Sequence, residues 1–196
     1  VITADAVKEL RQRSGAGMMD CKRALEEAGG DLERAMDVLR RKGAAGVAKR
    51  AGREAREGVV DAYVHLGGRI GVLVELDCET DFVAKTDEFR ALARNLAMQI
   101  AAADPSAVDR ESVPPELLER ERAIYQEQAE ATGKPAAVVE KIVAGKLEKF
   151  YAETVLLEQP FIRDPDRTVG DLIQETAAKV GENVVVRRFA RFAVGG

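Results

Sequence analysis

The chain has 196 residues, 46% of them hydrophobic, a formal charge of −4, two cysteines and one histidine. That length allows one or two domains with a real core, and the acidic balance argues against a dedicated nucleic-acid binder, whose domains are usually basic. A single histidine leaves His-based metal sites and acid–base relays only His65 to build on. No phosphate loop of the G-x-x-x-x-G-K-[ST] type occurs, Cys21 and Cys78 stand far apart without metal or redox spacing, and no apolar run approaches a membrane span. Two isolated thiols and no secretion signal point to a reducing, cytoplasmic setting. No cofactor, metal or catalytic centre is expected.

Residues 1–43 read as three short helices. Thr3 caps the first, with Ala6, Val7 and Leu10 at helical spacing. Ser14, Gly15, Ala16 and Gly17 break the chain, and a second helix over 18–28 stops at Gly29 and Gly30. Asp31 caps a third, with Leu32, Ala35, Met36 and Leu39 on one face, and Gly43 is expected to end it. A bundle this small has a marginal core, so some of its apolar residues are available to a partner. Met18 and Met19 are the candidates. Adjacent helix positions cannot both face one core, so one methionine is expected to pack inward and the other outward, where its flexible thioether suits a contact surface.

Residues 40–56 hold seven Lys or Arg against one Glu54. This reads as a basic linker over 44–56 or a solvated helix face, with RNA contact as the alternative. From residue 59 the period becomes two. Val60, Ala62, Val64 and Leu66 alternate with Asp61, Tyr63 and His65. Gly67 and Gly68 supply a turn, and Ile70, Val72, Val74 and Leu76 answer on a second strand, making a β-hairpin. His65 falls opposite the valines and is either a half-exposed strand residue or a partner contact.

The stretch 75–89, ELDCETDFVAKTDEF, joins that hairpin to an amphipathic helix with Phe89, Leu92, Leu96 and Ile100 aligned, capped by Thr86. Between strand and helix a turn carries Asp81 and Phe82, a carboxylate beside an aromatic ring. Loops held on rigid elements tend to carry function; the plainer alternative is that Phe82 staples the helix to the sheet. Two long helical patterns over 116–131 and 136–158, joined by Gly133, Lys134 and Pro135, read as an antiparallel hairpin arm. Leu117, Ile124 and Ala131, with Val143, Phe150 and Leu157, recur every seven residues as its seam. Thr168 caps a further helix ending at Gly181. The final strand, 184–194, is expected to carry Val184, Val186, Arg188, Ala190 and Phe192 on one face and Arg187, Phe189 and Arg191 on the other. Alternating Arg and Phe can stack single-stranded RNA, although a strand with one packed and one solvated face is commoner.

Three long motifs, in order, resemble the elongation factor Ts family, guanine-nucleotide exchange factors for elongation factor Tu. They are VKELRQRSGAGMMDCKRALEEAGGDLERAMDVLRRKG, GRIGVLVELDCETDFVAKTDEF, and EQPFIRD with GENVVVRRFARF. The resemblance implies an α+β protein. A ubiquitin-associated-like three-helix domain would occupy 1–43 and an antiparallel-sheet core 57–196, with the arm at 116–158. It further implies that Asp81 and Phe82, shaped by Thr80 and Val83, enter the partner's nucleotide domain and disturb its magnesium and phosphate contacts. Leu10, Met18 and Met19 would form an apolar grip on the same domain, and His65 would lie near a second contact. Longer family members carry two related core halves, whereas this chain shows one VHLGGRIGVLVELDCETDFVA segment, so two chains are expected to pair as a C2 homodimer in a two-plus-two complex. Two rivals are an RNA-binding protein using 40–56 and 187–192, and a hydrolase centred on Asp81, Glu79 and His65.

Overall fold

The computed structural model describes residues 2–195. Its fold is α+β. The N-terminal domain packs α1 (Ala4–Ser14), α2 (Met18–Glu27) and the first half of α3 (Leu32–Arg50) around Val7, Leu10, Cys21, Ala24, Leu25, Ala35 and Val38. Thr3 and Asp31 cap α1 and α3 as their side chains dictate.

Gly43 does not end α3, which runs unbroken to Arg50. A Cβ on Gly43 would come within 3.3 Å of the Ala178 side chain. The glycine therefore allows close approach to α8 (Val169–Val180), and that packing outweighs the helix-weakening entropy of one glycine. Half of the expected 44–56 linker is consequently helix, and Val47 reaches the main core.

The core sheet has the order β1-β2-β5, with β2 (Ile70–Cys78) between β1 (Glu57–Val64) and β5 (Val185–Ala193), all antiparallel. Helices α5 (Asp87–Ala103) and α8 cover one face. Phe89, Leu92, Leu96 and Ile100 of α5 meet Val72, Val74 and Leu76 of β2 and Ile173 and Ala177 of α8. The pairing sets Val60 opposite Glu75 and Tyr63 opposite Val72, so Val60 and Val64 do not share the face of the β2 valines. Val59, Asp61 and Tyr63 turn toward the helices, while Val60 and Val64 turn away, Val64 being 68% exposed. His65 stays on the side of Tyr63, whose hydroxyl lies 2.9 Å from its Nδ1. Gly58 permits the close pairing, because a Cβ there would stand 2.2 Å from the Leu76 carbonyl oxygen.

In β5 the expected alternation breaks. The register shifts between Glu75 and Leu76, pairing Glu75 with Arg188 but Leu76 with Val186 and leaving Arg187 as the extra residue of a bulge. Val186 therefore faces the core, yet Arg188, Ala190 and Phe192 face outward and Phe189 packs inward. All three arginines of the strand meet acid groups. Arg187 reaches Asp77 at 2.7 Å, Arg188 reaches Glu75 at 2.6 Å, and Arg191 reaches Asp104 at 3.2 Å.

Helices α6 (Pro115–Glu130) and α7 (Ala136–Thr154) form an antiparallel pair. Val143 and Phe150 line its seam as expected, while the α6 side is displaced. Leu118, Tyr125 and Ala129 face Val139, Val143, Leu147 and Phe150, Ala131 is exposed, and Leu157 belongs to the main core instead. At the base, the Arg110 guanidinium bridges Glu148 and Glu158 and lies 4.2 Å from the Tyr151 ring centre. A short hairpin, β3 (Pro160–Phe161) with β4 (Asp164–Thr168), leads into α8, whose N-terminus carries a complete capping box between Thr168 and Asp171. Among the described residues no helix is long and apolar enough to cross a membrane.

Candidate functional site

The chain leaves β2 at Cys78 and turns at once into a one-turn helix, α4 (Asp81–Ala84), where the sequence suggested only a loop. Thr80 is its cap, its Oγ1 accepting from the Val83 N–H at 3.4 Å. Val83 and Ala84 are buried in the main core and nail the turn down. Thr86 then accepts from the Phe89 N–H at 3.3 Å and donates to the Val83 carbonyl at 2.7 Å, so the cap of α5 also closes α4.

Pinned between these anchors, Phe82 points out. The residue is 79% exposed. An aromatic staple between helix and sheet is thereby excluded. Asp81 is also exposed, and its carboxylate accepts from the Lys85 ammonium at 2.6 Å, one helical turn on. That hydrogen bond and the lysine charge hold its pKa below the usual aspartate range.

Behind the turn the Cys78 thiol donates to the Thr80 carbonyl at 3.2 Å. Burial, helped by the nearby Glu182 charge, pushes that thiol up to about 11, so it is a protonated donor and a poor nucleophile at neutral pH. Glu182, between α8 and β5, accepts from the backbone N–H groups of Glu79 and Thr80, each at 3.0 Å.

The other expected residues divide sharply. Met18 and Met19 are both exposed, at 43% and 61%; neither fills the N-terminal core, because Cys21, Ala24 and Leu25 one turn later already do. Leu10 is wholly buried in that core, so it supports the methionine surface from beneath and is not part of it. Val83 likewise anchors the turn and presents no surface. His65 lies exposed near the hairpin end, away from the core. Glu79 pairs with Arg53 at 3.4 Å, and nothing gathers Asp81, Glu79 and His65 into one site.

The glycine turn that precedes Met18 touches the main domain. A Cβ on Gly15 would lie 3.2 Å from the Lys179 side chain, and the Lys179 ammonium reaches Glu88 in the first turn of α5 at 3.4 Å. The ion pair thus joins α8 to the first turn of α5, with the Lys179 side chain passing beside the glycine turn.

A family model described as Elongation factor TS matches residues 46–196, the span that carries this turn and its supports. The chain belongs to the elongation factor Ts family. It is similar to Elongation factor Ts of Carboxydothermus hydrogenoformans, 65% identical over 195 residues covering 100% of this chain and 90% of that protein. It is also 62% identical to Elongation factor Ts of a Thermoanaerobacter species, covering 96% of that protein, and 58% identical to that of Geobacter sulfurreducens, covering 90%. As a member of the elongation factor Ts family the chain is a translation elongation factor.

Sequence reasoning passed over two residues of the site. Lys85 was detectable, since a lysine four residues after Asp81 is a standard helical pair. Glu182 left no local signal, because it lies 102 residues from Thr80.

Proposed function

We propose that this elongation factor Ts family member binds GDP-bound elongation factor Tu and promotes GDP release, with the turn carrying Asp81 and Phe82 entering the partner's nucleotide domain. The observation that carries the proposal is an aromatic ring held out to solvent on a turn whose next two residues are buried. An exposed phenylalanine on a rigid mount loses little entropy on docking, and its burial contributes ~1.5–3 kcal/mol, the size of an interface hot spot. If that burial is available only when the partner's nucleotide site is disturbed, it acts against GDP and Mg²⁺. The coupling is reciprocal, so nucleotide with magnesium weakens the factor's hold by the same ratio. No covalent step is involved, and the cell compartment is the cytoplasm.

The three-helix N-terminal domain, read as ubiquitin-associated-like, grips the same nucleotide domain through Met18 and Met19. The unbroken α3, packed on α8 at Gly43, joins that grip to the core. His65 is a secondary contact.

The uncovered sheet face supports a C2 homodimer. Val60, Ala62, Val64, Leu73, Ala190 and Phe192 form an outward apolar surface across all three strands, with Phe192 70% exposed. The charges of Arg188 and Glu75 on that face pair with each other at 2.6 Å. A second copy offers the same apolar patch with its charges paired internally, which suits the self-complementarity of an isologous interface.

The RNA-binding alternative loses support from β5, whose three arginines are already paired with carboxylates and whose two phenylalanines lie on opposite faces. The deciding experiment is release of a fluorescent GDP from purified elongation factor Tu on adding this protein. Release no faster than the spontaneous rate would overturn the proposal.

A further inference from the structure

We propose that Glu182 is a positioning residue for the turn carrying Asp81 and Phe82, setting the direction in which the ring leaves the molecule. The inference rests on the exchange-factor reading above.

The exposed ring of Phe82 has too little of its own chain around it to fix its direction. A four-residue helix is not self-supporting either, since fixing one turn gains little hydrogen bonding. With Val83 and Ala84 fixing the far side of the turn in the core, the aim of Phe82 is set on the near side by the residue at which the chain swings from strand to helix. That residue is Thr80, extended at φ −129° and ψ 150°.

Every polar group of Thr80 is held. Its N–H donates to Glu182 Oε2 at 3.0 Å, its hydroxyl donates to Glu182 Oε1 at 2.6 Å, and its carbonyl accepts from the Cys78 thiol at 3.2 Å. The same Glu182 Oε2 takes the N–H of Glu79, so one carboxylate grips two successive peptide groups and a side chain. The grip is reciprocal. Glu79 Oε1 accepts from the Asn183 N–H at 2.7 Å, and the Asn183 amide donates to the Arg53 carbonyl at 2.8 Å.

Gly181, in the left-handed region at φ 75°, ends α8 and delivers Glu182 to the turn. Hydrogen bonds to an ionised acceptor are about twice as strong as neutral ones. Ordering the turn before the partner arrives removes that ordering from the free energy of docking. A brace that merely stabilised the fold would touch strand and helix; this one closes on the pivot of the exposed ring.

The test uses the full chain in the fluorescent-GDP release assay with elongation factor Tu. Glu182→Ala should lower the promoted release rate about tenfold, the loss of a charged acceptor shared by three donors. Glu182→Gln should stay within about threefold, because its carbonyl can accept both N–H groups while its amide donates to the Thr80 hydroxyl. In a chain already carrying Asp81→Ala and Phe82→Ala, adding Glu182→Ala should change release by less than about twofold, as expected when one residue acts only through the others. Amide hydrogen exchange over residues 79–84 of the free protein should be faster in Glu182→Ala and near normal in Glu182→Gln.

Wild-type release by Glu182→Ala, or a further tenfold loss in the doubly substituted chain, would overturn the positioning role while leaving the exchange-factor reading in place. Wild-type release by the doubly substituted chain itself would overturn that reading, and this inference with it. If Glu182→Ala does not fold, Glu182→Asp replaces it. This variant keeps the charge but falls one methylene short of the turn, and release at the wild-type rate would equally refute the proposal.

Discussion

Replacing Phe82 by alanine separates what the ring does for a partner from what it does for its own fold. A phenylalanine buries about 200 Å² when fully enclosed. With 79% of the residue exposed, about 150 Å² is still available to another molecule. At ~25 cal/mol per Å² that is at most about 4 kcal/mol, and about 2–3 kcal/mol once the area kept by alanine is discounted. If this free energy is spent in the displaced state of the partner, GDP release should slow by roughly 30- to 150-fold at saturating nucleotide-bound partner. The free chain should hardly notice. An exposed side chain away from packing changes stability by less than about 0.5 kcal/mol, which for a protein of this size moves Tm by less than about 2 °C. Stopped-flow release of fluorescent GDP and differential scanning calorimetry supply both numbers. Release within threefold of wild type, or a Tm lowered by several degrees, would refute the reasoning: the first by removing the wedge, the second by showing that the ring is packed after all.

The remaining predictions concern other parts of the molecule. Leu10→Ala should destabilise the N-terminal domain by about 2–5 kcal/mol through a core cavity, whereas Met19→Ala should leave urea unfolding unchanged and weaken partner binding in a titration; a stable Leu10→Ala chain would contradict the burial of that side chain. Leu73→Asp together with Phe192→Asp should abolish the homodimer in sedimentation equilibrium at micromolar concentration while the monomer keeps its melting curve, and an unchanged mass would move the dimer contact off the sheet face. Asp171 should couple the cap of α8 to pH. Hydrogen bonds from the Thr168 N–H and hydroxyl hold its pKa below the ordinary value, so the cap's contribution is fully present above the unfolded pKa of about 3.9 and is lost as pH falls through the lower folded value. The stability gap between wild type and Asp171→Ala should therefore be widest at neutral pH and shrink below about pH 4; a gap that stays constant would exclude the capping carboxylate as its source.

The local elements were legible because their causes are local. Thr3, Asp31, Thr86 and Thr168 cap helices by reaching backbone N–H groups three residues on. The period-two runs announced the hairpin. The oddity of a phenylalanine in the turn at 81–84 already marked the candidate site, and the family motif supplied a use for it. For the two methionines periodicity places one outward and one in the core, but it cannot show that Cys21, Ala24 and Leu25 leave no room for either.

What the sequence determined by itself was therefore the long helices, the β1–β2 hairpin, four of the caps, and the residue pair at the tip of the turn; α4 and the β3–β4 hairpin were not legible. Tertiary structure decided which face of each element is covered. Gly43 reads as a helix stop until α8 packs across it, Val60 and Val64 read as answering the β2 valines until the pairing turns them outward, and the Arg/Phe alternation of β5 holds until one bulged residue reverses it. The physical reason is common to all three. Capping and periodicity act over a few residues, whereas close approach, strand register and the grip of Glu182 on Thr80 join groups brought together only when the whole chain has folded.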